Sequence, residues 1–295
     1  MFRLFSKKDG GKVAGTLAVG CGGGGCNIAN RLGGISGVDI LTVNTDRKGL
    51  VRSRSNRRIL LGDGSMDAGC GGDVALGRSL TTASSAMIDE SIRMFLNVAI
   101  LAGLGGGTGT GAAEVIASAA RRNGSRVILF ATIPMSFEFD RRKVAIDALD
   151  GLAAVCDIMV VLDGDRLVSI DPMLGAREAF SVLDQMICES FMSLMDMLES
   201  ADGEHVFRMM KGRTFSVSFA EGMSVEKVAA ALASGLMTSF TSTSNPIIFV
   251  RGNIPQDGSE RIMSDMIAES VGNEPVFIQG PGGRGMNLVM FTPIQ

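Results

Sequence analysis

The sequence predicts an α/β fold: a domain with a mostly parallel sheet, a long helix, and a smaller α+β second domain. Two observations predict it. Short apolar runs lead repeatedly into glycine-rich loops and then into helix-forming runs, which is the order of strand, loop and helix in parallel domains. Farther along, residues 176–197 repeat apolar side chains at helical spacing over an unusual length, and shorter strand and helix patterns follow.

The composition limits the class of protein. The chain has 295 residues, 46% of them hydrophobic and 20% charged, which is enough for a buried core in two domains. A net charge of −3 argues against nucleic acid as a partner. Five cysteines without paired CxxC spacing indicate reduced thiols. With no apolar run of membrane-spanning length and no signal-peptide pattern, we expect a soluble, cytoplasmic protein.

Residues 1–15 form a short arm in which basic residues stand beside Phe2, Leu4 and Phe5. So few residues cannot hold a helix alone in water, which favours a disordered arm. The alternative is a weak membrane or adaptor contact through Met1–Lys12, which would act only if many copies were arrayed on a polymer.

The first two strands leave two functions open. A strand at 16–19 leads into the glycine loop 20–27 and a helix from Ile28, and a second strand, 40–43, ends in Asn44-Thr45-Asp46. This spacing fits a dinucleotide-binding fold with Asp46 as the ribose acid. It fits a GTP-binding protein equally well, so a nicotinamide-dependent oxidoreductase remains an alternative here.

Two further glycine loops favour a triphosphate. Residues 69–77 are too rich in glycine for the interior of a helix or strand, and we interpret them as a loop. A packing helix at 86–95 and a strand at 98–101 then lead into the loop 103–111 and an alanine-rich helix, 112–120. Successive glycine loops at strand ends let backbone N–H groups close around phosphates from several sides.

The loop 103–111 reads GLGGGTGTG and resembles the signature loop of the FtsZ/tubulin family. Residues 20–27 and 44–46 resemble the family's first two phosphate loops. Residues 69–77 resemble its γ-phosphate-sensing loop, with Cys70 in the usual Ala place. The resemblance implies nucleotide contacts from these loops through Gly22, Gly23, Gly24, Asn27, Asn44, Asp46, Gly71, Gly72, Asp73, Gly105, Gly106, Gly107, Thr108, Gly109 and Thr110.

The resemblance also implies contacts to the ribose and the base. After a strand at 126–131 and before a helix ending near 155, Glu138 and Arg142 match the ribose-binding pair; an ordinary i, i+4 ion pair is the alternative. On the long helix, Phe180 and Asp184 match the residues that stack on guanine and accept its N–H groups; a core Phe beside a solvated Asp is the alternative. Gly164 stands where the family usually has an Asn that touches ribose and base.

The segment that carries catalysis in the family departs from its pattern. Aligned on Val206 to Gly212, Asp202 takes the first acidic position, but His205 takes the second. Histidine can accept a proton from water but does not replace an anion as a ligand for a hard cation. Glu204 could take over that role, and a surface loop residue without a role is the alternative for His205.

The predicted organisation is a Rossmann-like GTP-binding domain at 1–175, a central helix at 176–199 and a second, activation-type domain at 200–295. In the second domain we predict strands at 213–219, 247–250, 275–278 and 288–292 with helices at 224–236 and 260–271. The chain stops at Gln295, so we expect it to lack the disordered linker and adaptor-binding peptide of bacterial relatives.

The resemblance thus implies a divergent FtsZ-like cytoskeletal protein that binds GTP or GDP and forms a head-to-tail homopolymer with slow or altered hydrolysis. It implies Mg²⁺ held through the nucleotide, and K⁺, with no metal site in the protein alone. Two alternatives remain: a GTP-binding scaffold without significant hydrolysis, and the nicotinamide-dependent oxidoreductase, for which no hydride-transfer residues are recognisable.

Overall fold

The structure is a computed structural model that describes residues 7–8, 12–62, 69–170, 173–222, 224–235, 245–252, 259–280 and 286–294. The strands are β1 (Lys7–Lys8), β2 (Lys12–Cys21), β3 (Val38–Asn44), β4 (Arg57–Leu60), β5 (Phe95–Gly103), β6 (Arg126–Ile133), β7 (Ile158–Asp163), β8 (Arg213–Gly222), β9 (Ile247–Gly252), β10 (Val276–Gln279) and β11 (Met286–Ile294). The helices are α1 (Gly22–Arg31), α2 (Arg47–Val51), α3 (Val74–Ala83), α4 (Ser85–Ile92), α5 (Gly107–Arg122), α6 (Phe139–Val155), α7 (Gly164–Ile170), α8 (Ala176–Glu199), α9 (Gly203–Met210), α10 (Val225–Ser234) and α11 (Ser259–Val271).

The chain divides into two compact units. Unit 1 comprises residues 1–159 and 180–188, and unit 2 comprises residues 160–179 and 189–295. The long helix predicted at 176–197 is α8, which continues to Glu199 and contributes residues to both units.

Unit 1 contains a parallel sheet in the order β6-β5-β2-β3-β4, with β1 antiparallel to the start of β2. Residues 98–102 of β5 are fully buried, as expected for a central strand covered on both faces. Because the strands are parallel, their carboxyl ends share one edge, here called the carboxyl edge, and their amino ends share the opposite, amino edge. The α/β prediction is confirmed.

Unit 2 contains a smaller sheet in the order β10-β9-β11-β8. β11 lies antiparallel between β8 and β9, and β10 pairs parallel with β9. α10 and α11 pack together on one face, where Val228, Leu232 and Met263 join Leu288 and Met290 in a buried core. This is the predicted α+β arrangement.

Three predicted loops are partly helical, and those predictions were wrong. α1 begins at Gly22 instead of Ile28, and α5 begins at Gly107 instead of Ala112. The segment 69–77 contains the start of α3, which Asp73 caps through the Leu76 N–H at 3.0 Å. Glycine is tolerated inside these helices because backbones approach closely: a Cβ on Gly77 would overlap the Gly107 carbonyl.

Two other predictions need correction. The helix predicted at 86–95 ends at Ile92, and Phe95 begins β5. The catalytic-type segment after α8 is not a loop throughout, since α9 begins at Gly203. A Cβ on Gly203 would overlap the Leu198 carbonyl, so the turn between the two helices is tight at this residue.

The five cysteines are free thiols, and each is buried. Burial raises the pKa of the Cys26 and Cys156 thiols to about 12 and raises that of Cys21 further. The predicted membrane or adaptor contact through Met1–Lys12 lies mostly outside the described residues. Within this segment the structure describes Lys7–Lys8, which form β1, and Lys12, which begins β2.

Candidate functional site

The carboxyl edge of unit 1 gathers the glycine-rich segments. β2, β3, β5 and β6 end there, at Cys21, Asn44, Gly103 and Ile133, and each is followed by a predicted site segment. Ligands of open parallel sheets bind at this edge, where successive loops and helix N-termini converge.

The first turn of α1 packs against the signature segment. Gly22 has a φ of +67°, and a Cβ there would lie 2.8 Å from the Gly109 nitrogen. A Cβ on Gly24 would lie 3.3 Å from the Gly103 Cα, whereas Gly23 is exposed with open space around it. The free N–H groups of this first turn therefore face the carboxyl edge beside the start of α5.

The signature segment is held by close backbone contacts. A Cβ on Gly107 would lie 2.7 Å from the Asp73 carbonyl oxygen, and one on Gly109 would lie 2.6 Å from that of Gly103. The Thr110 hydroxyl accepts a hydrogen bond from the Gly105 N–H at 2.9 Å. Gly106 is the N-cap of α5, so the helix N-terminus offers N–H groups suited to an anion.

Three side chains join three of the predicted phosphate loops. The Thr45 and Thr108 hydroxyls lie 2.6 Å apart, and the Cys70 thiol lies 3.4 Å from the first and 3.6 Å from the second. All three residues are buried. The cysteine that stands in the family's Ala place therefore takes part in a polar contact that holds the loops together.

The other predicted loop residues have local roles in turns and caps. Asp46 accepts from the Lys48 N–H at 2.9 Å and caps α2, and its own N–H donates to the Asn44 side chain at 3.1 Å. Gly71 and Gly72 are exposed and have φ values of +56° and +92°, which favour glycine. These contacts fix the backbone around the site.

A pocket of about 140 Å³ lies in unit 1 beside these loops. Gly24, Asn27, Glu138, Phe180 and Asp184, all predicted site residues, line it together. Ile28, Leu104, Thr132, Arg141 and Leu183 also line it and were not predicted. Since ligand pockets commonly measure about 300–1,000 Å³, this one suits a base and sugar, with any phosphates in the open loops.

Asp184 is the carboxylate within the pocket. Its side chain is 20% exposed, and the Arg31 Nε lies 3.8 Å from its Oδ2. Burial raises its pKa from 3.8 to about 6, and the Arg31 charge opposes that rise. Arg31 also donates to the Ser181 hydroxyl at 2.8 Å, which orients the guanidinium on the same helix face.

Glu138 precedes α6 at the other side of the pocket. Its Oε2 forms an ion pair with Arg141, and its Oε1 is buried without a hydrogen-bond partner. Arg142, which was predicted to contact the ribose together with Glu138, donates to the Pro134 carbonyl at 2.7 Å. The buried Oε1 is a free acceptor suited to a ligand hydroxyl, such as one on a ribose.

The predicted catalytic residues lie in unit 2. Asp202 is the N-cap residue of α9, and Glu204 and His205 follow in its first turn. All three side chains are exposed, whereas Val206 and Phe207 on the same helix are buried. α9 thus directs its polar residues into solvent.

Within the described ranges, no group of three or more His, Cys, Asp or Glu residues is placed to hold a metal ion. Among the residues that the structure describes, no helix is long and apolar enough to cross a membrane.

A parallel sheet with glycine-lined loops and helix N-termini at its carboxyl edge defines an α/β domain of the nucleotide-binding type. The chain belongs to the Tubulin/FtsZ family: the model of its GTPase domain matches residues 16–172. The family resemblance predicted from the sequence is therefore confirmed.

Two curated relatives support membership of this family. The chain is 34% identical over 186 residues to cell division protein FtsZ 2 of Methanocaldococcus jannaschii, covering 62% of this chain and 49% of the relative. It is 32% identical over 249 residues to cell division protein FtsZ 1 of Pyrococcus woesei, covering 79% and 68%. The chain spans about half the length of the first curated relatives that it matches.

Solved structures share the fold. An empty FtsZ dimer from M. jannaschii superposes with a TM-score of 0.80 at 26% identity, covering 95% of this chain and 88% of that one. CetZ2 from Haloferax volcanii, described as a GTPγS-bound protofilament, gives a TM-score of 0.81 at 19% identity, covering 95% and 92%. At 19% identity the likeness shows the fold alone.

Proposed function

We propose that this chain binds GTP or GDP at the carboxyl edge of unit 1 and assembles head to tail as an FtsZ-like cytoskeletal protein. The observation that carries the proposal is the pairing of Phe180 and Asp184, one helical turn apart on α8, in the pocket that Gly24 also lines. A planar apolar face beside a buried carboxylate suits guanine, whose N1–H and 2-amino groups both donate.

The other contacts follow from the same geometry. The free Glu138 Oε1 would accept from a ribose hydroxyl, and the N-terminal N–H groups of α1 and α5 would bind phosphates. The Thr45–Cys70–Thr108 contact would hold three loops around the triphosphate. Mg²⁺ would be held through the nucleotide oxygens, and K⁺ is the second cation to test.

We propose that the next subunit completes hydrolysis through Asp202, Glu204 and His205. Their exposure on α9 leaves them available to a second copy. One carboxylate at the first acidic position and a histidine at the second would orient water but stabilise a cation poorly. GTP turnover should therefore be slow, and assemblies should be long-lived.

The first test is base selectivity. Asp184→Asn should weaken GDP binding about 10- to 100-fold, because a hydrogen bond to an ionised group contributes about 1.5–3 kcal/mol. Binding of inorganic phosphate should change little. Glu189→Gln, on the same helix and paired with Arg251 at 3.8 Å, is the matched control. Calorimetry with GDP, ATP and NAD⁺ measures this; tight NAD⁺ binding without guanine binding would overturn the proposal.

The second test concerns assembly and turnover. Pelleting should rise with GTP, and His205→Asp should raise phosphate release, because it restores an anion at the second acidic position. Asp202→Ala should abolish turnover and leave GDP affinity unchanged. His205→Asn, of similar shape to the Asp variant but uncharged, is the control. Brisk wild-type turnover that His205→Ala does not alter would refute the assignment and leave Glu204 as the residue to test.

A further inference from the structure

The amino edge of unit 1, opposite the candidate nucleotide site, is rich in arginine. Four arginines in seven residues, at 52, 54, 57 and 58, occupy the connection from α2 into the start of β4. Arg93 precedes β5, and Arg121 and Arg122 end α5, which runs back from the carboxyl edge. The parallel topology therefore places Arg93, Arg121 and Arg122 at the amino edge. The register sets Arg57 opposite Leu41, farther along the sheet, but the Arg57 guanidinium reaches back to lie 5.6 Å from the ring centre of Phe95, the first residue of β5. The Arg54 N–H donates to the Asn30 side chain at 2.7 Å, near the end of α1, which also runs back from the carboxyl edge.

The positive charge of this edge is only partly offset. Arg57 and Arg121 donate to the Ser91 and Ala154 carbonyls at 3.0 and 3.1 Å, which fixes them without neutralising them. Arg52 and Arg54 are exposed. Among the residues that the structure describes, the carboxylates near this edge include Asp39, Asp89, Glu90 and Asp157, and Asp150 lies near the end of α6. A local positive surface thus exists on a chain whose net charge is −3.

Apolar side chains are exposed among these arginines. Val51 is 68% exposed beside Arg52, and Met94 is 45% exposed beside Arg93. Interleaved basic and apolar groups are typical of a lipid-binding surface.

Nucleic acid is the less favoured polyanion. Binding single strands uses aromatic side chains as stacking platforms, but the exposed Phe137 and Phe139 flank Glu138, which lines the pocket at the carboxyl edge. We propose that the amino edge of unit 1 binds the surface of a membrane that carries anionic lipid headgroups. Arginines 52, 54 and 57 would supply the attraction together with Arg93, and Val51 and Met94 would insert shallowly.

The experiment is vesicle co-sedimentation with the nucleotide-free full chain, so that its outcome does not depend on GTP binding or assembly. Vesicles with about 30 mol% phosphatidylglycerol should bind, and phosphatidylcholine vesicles should not. Raising NaCl from about 0.1 to about 0.5 M should abolish binding by screening. The double variant Arg52→Glu/Arg54→Glu should weaken binding more than tenfold, since each basic residue near such a surface contributes about fivefold.

The matched control is Lys227→Glu/Arg261→Glu, which makes the same charge change at two exposed positions of unit 2. It should bind as the wild type does. Unchanged thermal melting and GDP affinity establish that both double variants are folded. Equal binding to neutral vesicles, equal loss in both double variants, or tighter binding to a short DNA duplex than to anionic vesicles would each overturn the proposal.

Discussion

At the scale of single residues, Asp184 combines burial with a neighbouring positive charge. Burial raises its pKa to about 6 against the ordinary 3.8, and Arg31 at 3.8 Å limits the rise. Between about pH 4 and 6 the folded, ligand-free protein therefore binds more protons than the unfolded chain. The contribution of Asp184 to the free energy of unfolding is therefore largest at low pH and falls as the pH rises through about 6.

Guanine binding should have the opposite pH dependence. The base requires the ionised carboxylate, so GDP affinity should fall up to about tenfold per pH unit below pH 6 and level off above pH 7. Calorimetry from pH 5 to 8 measures this. Because nucleotide phosphates titrate in the same range, the Asp184→Asn variant provides the baseline. If both proteins lose affinity in parallel, Asp184 does not contact the base.

A site residue could be predicted from the sequence only where the residues next to it in the chain indicate its role. Phe180 and Asp184 could be identified because the segment that contains them resembles the family's guanine-contacting segment, and helical spacing places both residues on one face. Arg31, which contacts Asp184 across more than 150 residues of chain, has no local signal. Arg141 was missed because the resemblance to the family's ribose-contacting loop pointed to Arg142, whereas in the structure Glu138 forms an ion pair with its i+3 neighbour.

At the scale of elements, the crossing of α3 and α5 depends on missing side chains. A Cβ on Gly111 would lie 2.6 Å from both the Arg78 nitrogen and the Val74 carbonyl oxygen. Since both are backbone atoms, the helices would have to separate to admit it. This close approach also explains why the sequence predicted too short a helix here. Glycine has a low intrinsic helix propensity, but the close packing of α3 against α5 requires it.

Gly111→Ala should therefore lower the free energy of unfolding by about 1–3 kcal/mol, as overpacking does. Gly151→Ala, inside the neighbouring α6, provides the control because its Cβ would lie no nearer than 3.5 Å to another group. That substitution should stabilise by up to about 1 kcal/mol through helix propensity. Urea denaturation of both variants distinguishes them; destabilisation by Gly151→Ala alone would refute the packing argument.

At the scale of the whole molecule, the chain divides into two compact units, and the proposed ligand contacts only the first. A ligand at 100 times its dissociation constant stabilises the native state by about 2.7 kcal/mol. Hydrogen exchange with GDP should therefore slow most in β2 and β5 of unit 1, and less in β8 and β11 of unit 2. Slowing confined to unit 2 would contradict the proposed site.

The sheet order marks the limit of prediction from sequence at this scale. The sequence predicted the strands of unit 2 individually, the one at 213–219 from its alternating apolar residues, but nothing local indicates that β11, the last strand, inserts between β8 and β9. Its register, with Leu288 opposite both Ala220 and Val250, is specified by burial on both sides. The parallel order of unit 1 was predictable in kind because strand, loop and helix recur there.

The buried cysteines give the native protein an intrinsic kinetic reporter. A thiol whose pKa is raised by burial carries almost no thiolate, and thiolate is the form that alkylating reagents attack. Modification must then wait for local opening, so each alkylation rate reports the opening frequency of its own segment. Cys21 and Cys26 report on the start of α1, and Cys156 reports on the end of α6. Pulse-labelling with mass spectrometry would therefore map fluctuations around the carboxyl edge without an introduced label.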